Sequence, residues 1–109
     1  MNWAFLLLWA SLIGESMTKT EFIHMLMQEG YPDPVEVQRD PHESLGEHSH
    51  PFEVYALILA GDIELVIEGE SSIYKPGNIF YLGAQELHSE SYGKEGVLYL
   101  ASRRLVNDV

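Results

Sequence analysis

The chain has 109 residues, of which 46% are hydrophobic and 21% charged, proportions that indicate a single folded domain and exclude extensive disorder. Its 17 acidic and 6 basic residues give a net charge of −11. Because no basic stripe offsets this negative field, nucleic acid is excluded as an expected partner. The sequence contains no cysteine, so disulfides and thiolate metal sites are excluded, and nitrogen and oxygen are the ligands left for a metal.

Residues 1–16 differ in composition from the remainder of the chain. Residues 4–13 form an apolar run (AFLLLWASLI) that is shorter than the about 20 residues of a membrane-spanning helix. A signal peptide carries a Lys or Arg before its apolar run, and none precedes this one. We favour translation starting at Met17, with residues 1–16 as a misassigned start outside the fold and the protein in the cytoplasm. The alternatives are an exported or membrane-anchored protein with residues 1–16 as its leader, and a helix that docks on the domain.

Residues 17–34 predict one short helix followed by a turn. Thr18 and Glu21 have the spacing of a capping box, and Gly30 stands where a C-cap glycine is common. Between them, an apolar stripe at helical spacing predicts a helix packed on a sheet; it consists of Phe22, Ile23, Leu26 and Met27. The two prolines of the following Tyr-Pro-Asp-Pro segment end the helix.

From residue 35 to residue 104 the pattern predicts short β-strands. Glycine and proline interrupt apolar or alternating runs every eight to twelve residues, which is typical of an all-β sandwich or barrel. The strands are expected at residues 35–39, 54–59, 63–67, 72–74, 79–82, 88–91 and 97–101. We interpret residues 60–62 as the turn of a hairpin and residues 93–96 as the turn before the last strand. No strand alternates with a helix after Gly30, so a parallel α/β sheet is excluded.

Three of the five histidines are candidate metal ligands. His48 and His50 are two residues apart, so an extended backbone presents both imidazoles on one face. This spacing alone is a weak signal, but the pair directly precedes the most apolar strand of the chain, where solvated side chains would be out of place. We interpret His24, on the predicted helix, and His42, in a turn, as solvated residues. The third candidate, His88, rests on the resemblance given next.

Two segments resemble the paired motifs of the cupin superfamily. Residues 46–53 (GEHSHPFE), with Gly61 eleven residues after His50, resemble the first motif. Residues 69–88, with Gly77 eleven residues before His88, resemble the second. On this resemblance we identify the chain as a small single-domain cupin. The implied fold is all-β, a small antiparallel β-barrel of the jelly-roll type (double-stranded β-helix), with one short N-terminal helix. The resemblance also implies one divalent transition metal ion (Fe, Mn, Ni, Zn, Co or Cu) held by His48, His50, His88 and a glutamate of the first motif.

The glutamate of the metal site departs from the family pattern. The family places it four or five residues after the second histidine, where this chain has Val54 and Tyr55. Glu53 is the nearest carboxylate, but strand parity puts it on the face opposite the histidines unless a bulge intervenes. Glu90 shares a face with His88, two residues away. Three alternatives therefore stay open: Glu53, Glu90 as a ligand or as a partner that orients a ligand imidazole, and a three-histidine site completed by water.

The resemblance implies two functions without deciding between them. One is a metal-dependent enzyme, an oxygenase or isomerase-like cupin acting on a small molecule. The other is a non-catalytic module that binds or senses a small molecule or a metal. A storage protein is disfavoured, since storage cupins are usually larger and lack the histidine set. We expect a homodimer, because so short a chain buries proportionally little surface by itself. Arg103 and Arg104 are expected to lie in a solvated tail or in an ion pair across the dimer interface.

Overall fold

The computed structural model describes residues 16–106, and these form one helix and six β-strands. In chain order they are α1 (Lys19–Glu29), β1 (Val35–Arg39), β2 (Ser44–His48), β3 (Phe52–Ile67), β4 (Glu70–Tyr74), β5 (Ile79–Leu82) and β6 (His88–Leu105). The expected all-β fold with one short N-terminal helix is confirmed. The expectation for residues 1–16 concerns a segment of which only Ser16 is described. Within the described range, no helix combines the length and the apolar character needed to cross a membrane.

Helix α1 begins and ends where the sequence predicts. The capping box is formed, since the Thr18 hydroxyl accepts from the Glu21 amide at 3.1 Å and the Glu21 carboxylate accepts from the Thr18 amide at 2.9 Å. Gly30 ends the helix with φ 77°, the left-handed conformation that glycine adopts without strain. The buried stripe is rotated from the predicted one: Met25 is buried, whereas Met27 is 72% exposed. The predicted place of Met27 in the apolar face was therefore wrong.

All strands pair antiparallel, and β3 and β6 are the centre of the sheet. The order is β1-β6-β3-β4, with β2 also paired to β6 and β5 also paired to β3. Among the described residues this hydrogen-bonded path does not close into a ring. The two long strands join all the others, since β3 pairs with β4, β5 and β6, and β6 pairs with β1, β2 and β3.

The prediction of turns at residues 60–62 and 93–96 was wrong, because β3 and β6 continue through these residues. Their pairing extends from Phe52 opposite Leu105 to Val66 opposite Ser89, with register shifts around Ala60 and Gly61. Gly61 has φ 72°, and a Cβ there would overlap the carbonyl of the facing strand. Gly61 therefore allows the two strands to approach closely where they bend. The bend is a β-bulge and not a chain reversal.

The alternation of side chains along β3 separates two faces. On the inner face, Val54, Ala56 and Ile58 join the core between the folded halves of the sheet. On the outer face, Leu57 packs with Leu100 against the buried side of α1. Between the register shifts, a residue's parity on β3 or β6 thus decides whether it faces the inner core or the helix.

Candidate metal centre

The structure brings the three predicted histidines together at one end of the inner face. His48 ends β2 and lies directly opposite His88, the first residue of β6, while His50 lies in the connection from β2 to β3. One ring nitrogen of each can be chosen so that all three lie within 4.8 Å of one another. His24 and His42 are exposed and lie outside this cluster.

Backbone carbonyls fix the orientation of two of these imidazoles. The Nδ1 of His48 lies 2.6 Å from the Gly46 carbonyl oxygen, and the Nδ1 of His88 lies 2.9 Å from that of Glu86. A carbonyl only accepts, so in each neutral ring Nδ1 carries the proton and Nε2 carries the lone pair. The Nε2 of His88 is buried and has no hydrogen-bond partner among the described residues.

His50 completes the cluster from its own side. Its ring stacks on Phe52 at a centroid distance of 4.9 Å and lies 5.0 and 5.1 Å from the rings of His88 and His48. Burial lowers the pKa of His50, and the two neighbouring imidazoles lower it further. His50 is therefore held in the neutral form, which is the form that binds a metal.

Glu90 faces the same point from β6. Its Oε2 lies 3.6 Å from the Nε2 of His48 and 3.5 Å from the Nε2 of His88, and Glu90 is only 8% exposed. Both distances are too long for a good N–H···O hydrogen bond, in agreement with the unpaired state of the His88 Nε2. The other carboxylate oxygen accepts a 2.7 Å hydrogen bond from the Tyr92 hydroxyl. In the Nδ1–H tautomers, the Nε2 lone pairs of His48 and His88 thus face the Glu90 carboxylate.

Glu53 lies on the opposite face of β3, as its parity indicates. Its carboxylate accepts hydrogen bonds from Arg104 at 2.9 and 3.1 Å, from Tyr31 at 3.1 Å and from Tyr81 at 2.7 Å. Burial raises the pKa of Glu53, but these donors outweigh it, and the net pKa is lowered. These side chains line a separate cavity of about 490 Å³ beside the end of α1, and none of the three clustered histidines borders it.

Sequence reasoning missed two arginines beside the histidine cluster. Arg39 and Arg103 line the same cavity as His48, His50 and Glu90. Arg103 had been expected in a solvated tail or at a dimer interface, but β6 continues to Leu105 and carries both arginines. Arg104 pairs with Glu53 of the same chain. Parity could have found Arg39 and Arg103, since each follows an inward-facing residue, Val37 or Ala101, by two positions.

Comparisons with known proteins agree on the fold. The cupin domain family matches residues 35–99. KdgF from Halomonas sp. has a TM-score of 0.59 at 21% identity, covering 71% of this chain and 73% of that one. A protein of unknown function from Rhizobium leguminosarum bv. viciae 3841 has a TM-score of 0.61 at 16% identity, covering 83% and 97%. The DMSP lyase DddQ from Ruegeria pomeroyi DSS-3 has a TM-score of 0.59 at 23% identity, covering 68% of this chain and 38% of the lyase. At these identities the structural likeness shows the fold alone. A comparison with curated proteins finds no match.

Proposed function

The chain belongs to the cupin superfamily, and from this membership and the geometry above we propose that it binds one divalent transition metal ion through His48, His50 and His88. Glu90 is the carboxylate of this site, and Glu53 is not part of it. A small molecule binds beside the ion in the adjoining cavity. Nitrogen and oxygen donors of this kind suit Fe, Mn, Ni, Zn, Co and Cu, and the donor set does not select one of them.

The unpaired Nε2 of His88 carries this proposal. Leaving a buried acceptor without a partner costs about 1–3 kcal/mol, and this one is held in place by the bond from Nδ1 to the Glu86 carbonyl. An Nδ1 hydrogen bond of the same kind orients His48, the pKa of His50 is lowered, and the three imidazoles each offer one nitrogen within the same small volume. A cation satisfies these lone pairs and the Glu90 carboxylate together, so the residues fit a metal ion.

A bound divalent ion would supply Lewis-acid chemistry to a small molecule. The chain's own groups orient and tune the site. Glu90 contributes negative charge beside two imidazoles, and Tyr92 fixes that carboxylate through its hydroxyl. Burial and the hydrogen bond to Glu90 raise the pKa of Tyr92. The Tyr92 hydroxyl therefore stays protonated and keeps donating to the carboxylate across the physiological pH range.

Access to the site supports small-molecule binding over a sealed structural ion. The side chain of His48 is 29% exposed, and a cavity of about 70 Å³ adjoins His48 and His50. A position open to solvent is what an exchangeable ligand requires. Catalysis, as an oxygenase or isomerase-like enzyme, and ligand binding without catalysis both use such a position. Oxygen consumption by the metal-loaded protein with small-molecule libraries tests for the oxygenase, and NMR analysis of the recovered compounds tests for the isomerase; ligand binding without catalysis predicts neither change.

Replacing His50 with Ala tests the metal site. We expect the variant to remain folded but to lose stoichiometric zinc after dialysis, because one of three nitrogen ligands is removed. Elemental analysis measures the zinc content, and circular dichroism checks the fold. His24→Ala, at an exposed helix position, is the matched control and should keep one zinc per chain. Full zinc occupancy in His50→Ala would show that the ligand set is wrong.

A further inference from the structure

Two arginines border the cavity beside the histidines, and neither has an acidic partner among the described residues. Arg39 is partly buried and Arg103 is exposed, and both line this cavity. In the described part of the chain, neither guanidinium has a carboxylate within 4.0 Å. Among the described residues, Arg104 is the one Lys or Arg side chain with a carboxylate within 4.0 Å, so Arg39 and Arg103 are distinguished by their position beside the histidines. The positive charges of Arg39 and Arg103 therefore border one cavity.

The third arginine of the chain shows how a structural arginine is held here. Arg104 donates through Nε and Nη2 to Glu53 and through Nη1 to the Glu29 carbonyl. By contrast, Arg39 donates to the Gln38 backbone carbonyl and to the Tyr92 hydroxyl, and Arg103 lies over the Phe52 ring at 5.5 Å. A guanidinium has five N–H donors, so most donors of Arg39 and Arg103 remain free to bind a ligand.

The charges and the size of the cavity define what it can bind. The two arginines outweigh the single carboxylate of Glu90, so the Arg and Glu side chains of the described lining carry an excess of one positive charge. The chain as a whole has a net charge of −11 and repels anions. The lining of this cavity has the opposite sign of charge. Its volume of about 70 Å³ is far below the roughly 300–1,000 Å³ of ordinary ligand pockets. The ligand must therefore place only a few atoms inside.

We propose that the small molecule bound beside the histidines is a short organic acid, whose carboxylate is held by Arg39 and Arg103. A planar guanidinium matches a carboxylate through two parallel N–H···O bonds. The aromatic walls of the cavity, Phe52, Phe80 and Tyr99, accommodate the carbon part of such a molecule. This inference rests on the proposed function, because it names the substrate class of the same site.

The three arginine Nε–H signals in a ¹H–¹⁵N NMR spectrum test the proposal on the unmodified protein. Sodium acetate, added to the zinc-loaded and to the chelator-treated full chain, should shift the Arg39 and Arg103 signals with one common saturation curve. The Arg104 signal should not move, since its Nε is bonded to Glu53. Acetamide, which is similar in shape and neutral, should shift none of them. Equal shifts with acetamide, or tighter binding of inorganic phosphate than of acetate, would overturn the carboxylate assignment.

Substitution checks the same assignment independently. Arg39→Gln and Arg103→Gln should each weaken acetate binding by about tenfold, the effect of losing a charge-assisted hydrogen bond. Lys19→Gln, at an exposed position of α1, removes the same charge elsewhere and should leave acetate binding unchanged. If zinc binds but acetate moves neither arginine signal, the anion site is wrong and the metal site stands. If acetate binds but zinc does not, the metal site is wrong.

Discussion

Replacing Glu90 with Gln isolates the contribution of its charge to the metal site. Gln has nearly the same shape, and its side-chain oxygen can still accept from the Tyr92 hydroxyl, so the packing around the site changes little. The carboxylate lies 3.5 and 3.6 Å from two candidate ligand nitrogens at 8% exposure, where its charge is only weakly screened by salt. Loss of such a partner weakens metal affinity by about 10- to 100-fold, or ~1.4–2.8 kcal/mol.

Glu53→Gln is the matched control, because it removes the same charge from the other face of β3. Competition with a chromogenic chelator measures zinc affinity, and we expect Glu53→Gln to remain within about twofold of the wild type, the limit set by its separate location. Glu53→Gln should still change stability, since it loses the charge that accepts hydrogen bonds from Arg104 and two tyrosines. Its unfolding free energy should fall by ~1–2 kcal/mol. A tenfold loss of zinc affinity in Glu53→Gln with none in Glu90→Gln would refute the assignment of the two faces.

Two further predictions concern the fold. Gly61→Ala should destabilise the protein by ~3 kcal/mol or more, because Ala at φ 72° is strained and its Cβ overlaps the facing strand; Gly46→Ala, with open space around it, should stay within ~0.5 kcal/mol in urea unfolding. Equal stabilities of these two variants would contradict the bulge at Gly61. The second prediction is a pH dependence: burial opposes ionisation of Glu53, but its hydrogen bonds from Tyr81 and Arg104 prevail and lower its pKa below the usual 4.5. Its contribution to stability is therefore complete above pH 4.5 and is lost as the pH falls below it. The stability difference between chelator-treated wild type and Glu53→Gln should shrink in that window, and a difference that is constant down to acidic pH would show that Glu53 is not stabilised in its ionised form.

Features set by residues close in sequence could be predicted. The start of α1 depends on Thr18 and Glu21, three residues apart, and the hydrogen bonds of the capping box form within that one turn. The pairing of His48 with His50 on one face follows from the two-residue period of an extended chain. Their approach to His88 was predicted only through the family resemblance, since His88 lies forty residues after His48 in the chain.

The lengths of β3 and β6 could not be predicted in this way. Glycines such as Gly61 and Gly96 are common in turns and also in β-bulges, and the sequence around them does not distinguish a chain reversal from a bulge. The difference depends on the partner strand: β3 and β6 pair along most of their lengths, and each bend lies opposite the other. A sequence window of ten residues does not contain that partner.

The sequence by itself determined the all-β class, the helix with its caps and the parity that separates Glu53 from the histidines. The tertiary structure decided which carboxylate and which cations surround those histidines. Glu90 reaches them because β2 pairs with β6. Arg39 borders the same cavity as Arg103 because β1 pairs with β6, with Arg39 opposite Val97. Parity states which face a side chain occupies. Which side chains meet on that face depends on strand order and register, which are fixed by hydrogen bonds between segments far apart in the chain.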